Sequence, residues 1–259
     1  MKRFTIEDLD RTVEGGIIAS CQPVAGGPLD QDEIVVAMAL ACEKGGAKAL
    51  RIEGVERVAK VRRASRIPVI GIVKRDLENT DVRITPGIDE VRGLADAGAD
   101  IIAFDATHRS RPVRREKIAE AILASGCHAM ADCASIRDVH FALACDVGFI
   151  GTTLSGYVGG NTPVEPDYDF LSSAVEIAPR VIAEGRYNTP DRARQACRLG
   201  AWGVTVGTAL TRIETMTGWF AEGLESLSGE AGRVLVMRRR LSVAPAGGPA
   251  SAGRRDSGA

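Results

Sequence analysis

Short apolar runs rich in β-branched residues alternate with longer stretches of helical periodicity, and the alternation repeats eight times along the chain. The runs predict strands at 17–21, 49–52, 69–73, 101–104, 128–131, 147–151, 180–183 and 203–206. Between and after them fall helical windows at 32–44, 55–64, 88–97, 114–124, 136–144, 168–177, 190–198 and 208–224. Windows of this kind supply the crossovers that parallel strands require. Several stop at Gly46, Gly98, Gly126 or Gly200, where a residue without a Cβ takes the left-handed conformation that ends a helix. The strand runs are apolar nearly throughout, so both of their faces are expected to be covered. Eight such units predict a closed parallel barrel, a single (β/α)8 TIM barrel, over an open doubly wound sheet. A helical turn at 4–11 is expected to cap the barrel floor.

Length and composition fit that expectation. The chain has 259 residues, 45% hydrophobic and 26% charged, enough for one large core. The pattern assigns 1–227 to the catalytic barrel and 228–259 to a basic Pro/Gly/Ala-rich tail. From Ala244 that tail lacks apolar anchors, which predicts disorder. The net charge of −1 is uneven: 233–259 carries six arginines against Asp256, so the remainder stands at about −6. A body that acidic excludes a general nucleic-acid binder. Arg238, Arg239 and Arg240 read as a solvated charge run.

Six scattered cysteines without a CxxC pair predict reduced thiols in the cytosol. The segment MKRFTIEDLDRTVEGG has acids where a signal peptide needs an apolar run, and no apolar stretch is long enough to span a bilayer. Neither export nor membrane insertion is expected. His108, His128 and His140 show no ligand spacing, so no metal is expected. The glycine-rich segment 155–160 lacks the lysine of a phosphate loop and reads as a lid after the sixth strand.

In a barrel of this kind the C-terminal strand ends face the active site, so polar residues there carry weight. They are Gln22, Arg51, Glu53, Lys74, Asp105, Asp132, Thr152 and Glu184. Lys74 has a stem long enough to cross the mouth, and desolvation together with a neighbouring cation such as Arg51 would lower its pKa. The plainer reading pairs it with Asp76 or Glu78. Glu184 suits proton exchange with a sugar hydroxyl or carbon, and its plainer reading is a partner for Arg51 or Arg186. Phosphate is commonly held by the loops after strands seven and eight. Here those loops offer Gly185, Arg186, Gly207 and Thr208, with Arg212 close behind.

With SCQP at 20–23, LRIEG at 50–54, GIVKRD at 71–76, IIAFDAT from 101, MADCAS at 130–135, GTTLSGY at 151–157 and AEGRYNTP at 183–190, the chain resembles the N-acetylmannosamine-6-phosphate 2-epimerase family of sialic-acid catabolism over roughly 13–224. The resemblance implies a phosphate-binding barrel that interconverts N-acetylmannosamine 6-phosphate and N-acetylglucosamine 6-phosphate without a cofactor. It places the catalytic roles on Lys74 and Glu184 and substrate contacts on Gln22, Arg51 and Asp132. The phosphate falls to Gly185, Arg186, Gly207, Thr208 and Arg212. A small-molecule amino-sugar phosphate is then the partner, with pairing as a homodimer expected from the general habit of such barrels. Two other readings stay open: a Schiff-base lyase or aldolase acting through Lys74, and a non-catalytic phosphosugar-binding protein.

Overall fold

The structure is a computed structural model that describes residues 3–160 and 162–225. The chain divides into two units, Met1–Glu214 and Thr215–Ala259. The first holds a helix α1 (Ile6–Val13) and eight parallel strands closed in sequence order: β1 (Gly16–Cys21), β2 (Ala49–Glu53), β3 (Val69–Ile72), β4 (Ile101–Asp105), β5 (His128–Asp132), β6 (Phe149–Gly151), β7 (Val181–Glu184) and β8 (Gly203–Val206). The crossovers are α2 (Asp32–Lys44), α3 (Val55–Ala64), α4 (Ile88–Asp96), α5 (Arg115–Ala124), α6 (Ile136–Ala144), α7 (Tyr168–Val175) and α8 (Pro190–Arg198), and α9 (Thr208–Thr211) follows β8. The barrel expected from the eight-fold alternation is therefore the fold. The tail expected to be disordered, 228–259, lies outside the described residues. Among the described residues no helix is long and apolar enough to cross a membrane.

Two apolar clusters explain why the strand runs read as apolar on both faces. Leu50, Ile52, Val69, Ile102, Phe104, Ile150, Val181 and Val204 point outward and pack against the helices. Ile18, Ala49, Ile70, Ile72, Ile101, Ala103, Met130, Phe149 and Ile182 fill the barrel interior. Side chains alternate along a strand, so the inward series continues two residues at a time towards the C-terminal ends. On β2 it runs from Ala49 to Arg51, on β4 from Ala103 to Asp105, on β5 from Met130 to Asp132, and on β7 from Ile182 to Glu184. The same pleat that packs the core thus delivers the polar side chains to one mouth.

Helix α1 seals the opposite end. Thr5 and Asp8 form a reciprocal capping box at its start, and Leu9 and Val13 are buried in the interior cluster with Trp202. Asp10 accepts from Arg180 Nε at 2.7 Å, Arg180 Nη2 at 2.6 Å and Trp202 Nε1 at 3.0 Å, which ties the floor to the segments entering β7 and β8.

Several boundaries shift by one or two residues from the sequence expectation, and three departures have identifiable local reasons. Val73 leaves β3 because its carbonyl accepts from Thr85 N at 2.7 Å, folding 74–84 back so that Lys74 bridges Ile84 in antiparallel fashion. Val147 donates to Ala142 O at 3.0 Å in the turn after α6, so β6 begins only at Phe149. The window at 208–224 breaks at Arg212, whose φ of −109° and ψ of 74° end α9 after a single turn, and residues 213–225 resume as helix.

Asp10→Ala leaves Arg180 and the indole N–H of the buried Trp202 without their acceptor. Urea unfolding is expected to show a loss of about 1–3 kcal/mol.

Candidate active site

A cavity of about 410 Å³ opens at the C-terminal mouth, a volume suited to a hexose phosphate. Gln22, Lys74 and Glu184 border it, as do Gly185, Arg186, Gly207, Thr208 and Arg212. Eight of the ten site residues expected from the sequence therefore meet in one space. The other two, Arg51 and Asp132, lie behind Glu184 and do not border the cavity, with side chains 1% and 0% exposed.

Their burial is explained by what they bind. Arg51 Nη1 and Nη2 reach the two carboxylate oxygens of Asp132 at 3.1 and 2.6 Å, and Nη1 also donates to Glu184 Oε2 at 2.7 Å. Thr153 Oγ1 donates to Asp132 Oδ1 at 2.6 Å, so both carboxylate oxygens of Asp132 are engaged by neighbouring side chains. Gly151 makes room for this arrangement, since a Cβ there would stand 2.6 Å from Met130 Cε and 2.9 Å from Asp132 Oδ1. Burial works against the charge on Arg51, but the two carboxylates outweigh it and hold its pKa above the ordinary value. One guanidinium shared by two carboxylates is a bidentate clamp plus a single further donor.

Glu184 is held from both sides. Its backbone exchanges hydrogen bonds with the Thr152 hydroxyl, each 2.9 Å long, and its carboxylate leans on Arg51 while still meeting the cavity. Burial raises its pKa above the usual carboxylate range; Arg51 opposes that rise and the charge on Asp132 adds to it. The plainer reading of Glu184 as a partner of Arg51 is thus true, and it does not remove the side chain from the cavity.

Lys74 enters from β3, which stands across the closed barrel from β7. Its Nζ donates to Gln22 Oε1 at 2.5 Å, and Gln22 Nε2 is in turn fixed on Ser20 Oγ at 2.7 Å. The plainer reading of Lys74, a surface pair with Asp76 or Glu78, fails: its amine is turned onto Gln22, Asp76 is paired with Arg83, and no ion pair joins Lys74 to Glu78 among the described residues. Burial first, then the positive charges of Arg51 and Arg212, lower the Lys74 pKa to about 8. An amine so placed is partly neutral near physiological pH and can accept a proton.

The end of the cavity expected from the sequence to hold the phosphate lies at β7 and β8. Gly185 has φ 107° and Arg186 φ 67°, a tight turn that exposes backbone beside the cavity. Arg186 donates to the carbonyls of Ser155 at 2.8 Å and Glu165 at 2.7 Å, and its guanidinium lies 5.1 Å from the Tyr157 ring centroid. It pins the loop after β6, the segment expected to be a lid, against the mouth. Arg212, which borders the cavity, donates from Nε to Gln22 O at 3.1 Å.

Several lining residues were missed by sequence reasoning. Ser20 and Thr205 obey the two-residue inward alternation with Gln22 and Gly207, a signal that was present. Thr153, Leu154, Tyr157 and Asn188 sit on loops, where no periodicity points inward.

Comparison with known proteins agrees with this architecture. Residues 35–226 match the model of the family described as "Putative N-acetylmannosamine-6-phosphate epimerase". A Vibrio cholerae serotype O1 relative described as "Putative N-acetylmannosamine-6-phosphate 2-epimerase" is 54% identical over 217 residues, covering 84% of this chain and 90% of the relative. A Pasteurella multocida relative of the same description is 50% identical over 226 residues, covering 87% and 99%. The solved N-acetylmannosamine-6-phosphate 2-epimerase from Clostridium perfringens superposes with a TM-score of 0.81 at 33% identity, covering 86% of this chain and 99% of that one. The tryptophan synthase alpha-subunit from Pyrococcus furiosus, at 19% identity and a TM-score of 0.57 over 76% of this chain and 89% of that one, shares the fold alone. With matches of this extent around a mouth so furnished, the chain belongs to the N-acetylmannosamine-6-phosphate epimerase family.

Proposed function

We propose that the protein interconverts N-acetylmannosamine 6-phosphate and N-acetylglucosamine 6-phosphate by removing and returning the proton at C2 of the ring-opened sugar. The observation that carries this reading is the entry of a lysine with a lowered pKa and a buried carboxyl into one cavity from facing strands. Epimerisation at C2 needs a proton removed from that carbon and one returned to it, and Lys74 and Glu184 approach the cavity from facing strands.

The chemistry follows from the acidity of C2. While the ring is closed, C2–H is not acidic; once C1 is an aldehyde, the carbanion is delocalised onto O1. Glu184, with its raised pKa, exchanges the proton that opens the ring. Neutral Lys74 takes the C2 proton, and the electron pair of the C–H bond moves to form the C1–C2 double bond and the O1 enolate. Gln22, hydrogen-bonded to Lys74, orients the amine and the open chain. A proton delivered to the opposite face, from the Glu184 side, collapses the enolate to the epimer. Arg51 and Asp132 serve by fixing the Glu184 carboxyl and supplying a preorganised positive field behind it.

The phosphate sits with Gly185, Arg186, Gly207, Thr208 and Arg212, so binding energy remote from C2 holds the chain in register. No step calls for a cofactor. Free thiols at all six cysteines suit a reducing cytoplasm, where we place the enzyme.

Proton NMR of the protein with either sugar phosphate in deuterium oxide should show epimer formation with deuterium entering at C2. Lys74→Ala should lower that exchange by about 10³-fold while sugar-phosphate binding stays measurable; a fully active variant sinks the proposal. Because the neutral amine is the base, and its fraction grows as pH rises, kcat/KM should climb towards a plateau above about pH 8. Lys74→Arg, which stays charged, should lack the climb and the activity. Borohydride added during turnover should leave Lys74 unmodified, since a trapped sugar adduct would favour the lyase instead.

A further inference from the structure

One wall of the cavity has no task in the reaction proposed above. It is formed by the segments after β3 and β4, where Ile84, Asp105 and Arg109 border the same space as Lys74. Asp105, the last inward residue of β4, has a side chain only 1% exposed, and its Oδ1 accepts from Thr107 N at 2.9 Å and Thr107 Oγ1 at 2.6 Å. Two arginines neutralise it: Arg111 Nη2 at 3.1 Å from Oδ1, and Arg109 Nη2 on Oδ2.

The two arginines differ in what they have left over. Arg111 is nearly enclosed and spends its donors on the carbonyls of Asp105, Thr107 and Arg109, which makes it a strut for the loop. Arg109 is 22% exposed and borders the cavity. Its Nε is fixed on Thr107 Oγ1 at 2.8 Å and its Nη2 on Asp105, while its Nη1 makes no hydrogen bond among the described residues. A planar guanidinium held on two edges with one amino group unused is a preorganised donor. Arg109 shares the Asp105 carboxylate with Arg111, so its charge is offset only in part, and its unused amino group is free to donate to an acceptor in the cavity.

The substrate's own geometry says which group meets it. Lys74 follows β3 and is proposed to act at C2, and β4 is the neighbour of β3 in the barrel. The phosphate on C6 belongs at β7 and β8, across the mouth from β4. A substituent on C2 then has the wall beside Lys74 within reach. An acetamido group presents one carbonyl acceptor and one methyl. Ile84 and Leu154 supply aliphatic surface to the cavity, both packing on the interior cluster, and the Ile84 carbonyl accepts from Asp105 N at 3.1 Å.

We infer that Arg109, held by Asp105 and Thr107, is a specificity-determining residue that donates to the acetamido carbonyl of the substrate, with Ile84 and Leu154 receiving the methyl group. The inference rests on the reading of the cavity as an amino-sugar-phosphate site.

Calorimetric titration tests it without requiring turnover, using N-acetylglucosamine 6-phosphate and glucose 6-phosphate, which carries a hydroxyl where the acetamide stands. The wild-type protein should prefer the acetamido sugar by about tenfold or more. Arg109→Ala should erase that preference and leave the affinity for glucose 6-phosphate within about twofold, while Arg109→Lys keeps part of it. Asp105 retains Thr107 and Arg111, so the variant should fold, and a thermal melt checks this. A preference that survives in Arg109→Ala, an equal loss for both sugars, or no preference in the wild type overturns the inference. Turnover of N-acetylmannosamine 6-phosphate by the wild type is measured separately. An inactive protein with an Arg109-dependent preference would end the epimerase reading and leave this subsite standing.

Discussion

The site depends on one buried cation. Arg51 lies inside the barrel wall with almost no exposure, and the desolvation of its charge is tolerable only because two carboxylates from other strands converge on it. That convergence fixes the Glu184 carboxyl, places positive potential beside Lys74, and commits β2, β5 and β7 to a common register at the mouth. Each strand contributes its inward residue at the level where the apolar interior ends. Above that level the barrel carries charge; below it the interior packs as a dry core. Lys74 is the counterpart on the other side: burial is the main influence on both groups, and the same guanidinium then lowers the Lys74 pKa further and opposes the rise at Glu184.

Much of this was legible in the chain because two periodicities coincide. The apolar runs that identify strands carry a two-residue alternation, and the polar residues closing them fall on its inward phase, as Ala103 and Asp105 or Ile182 and Glu184 do. Lys74, Gln22 and Glu184 could therefore be assigned to one mouth from the sequence. What periodicity cannot tell is depth. Arg51 and Asp132 satisfy the same rule as Glu184, yet mutual attraction, and the space left by Gly151, draw them behind the cavity surface.

Loops were the opaque part. Arg109 and Arg111 stand two residues apart in one basic stretch, and nothing in their spacing separates the strut from the residue facing the cavity. The split of the last helical window at Arg212 was equally hidden. It depends on the long-range bond from Arg212 Nε to the Gln22 carbonyl and on the Thr211 hydroxyl donating to Ser20 O at 2.9 Å. Tertiary contacts of this kind override a helical pattern that is locally continuous.

The clamp at the barrel floor bears on how the chain is made. Asp10 emerges early in synthesis, yet its partners Arg180 and Trp202 leave the ribosome only when most of the barrel has been translated. The first helix completes its docking, with Leu9 and Val13 in one cluster with Ile182 and Trp202, only when the final βα units arrive. Closure of the cylinder and docking of its plug are thus one late event, so a nascent chain stalled before β7 would offer that amphipathic helix to chaperones.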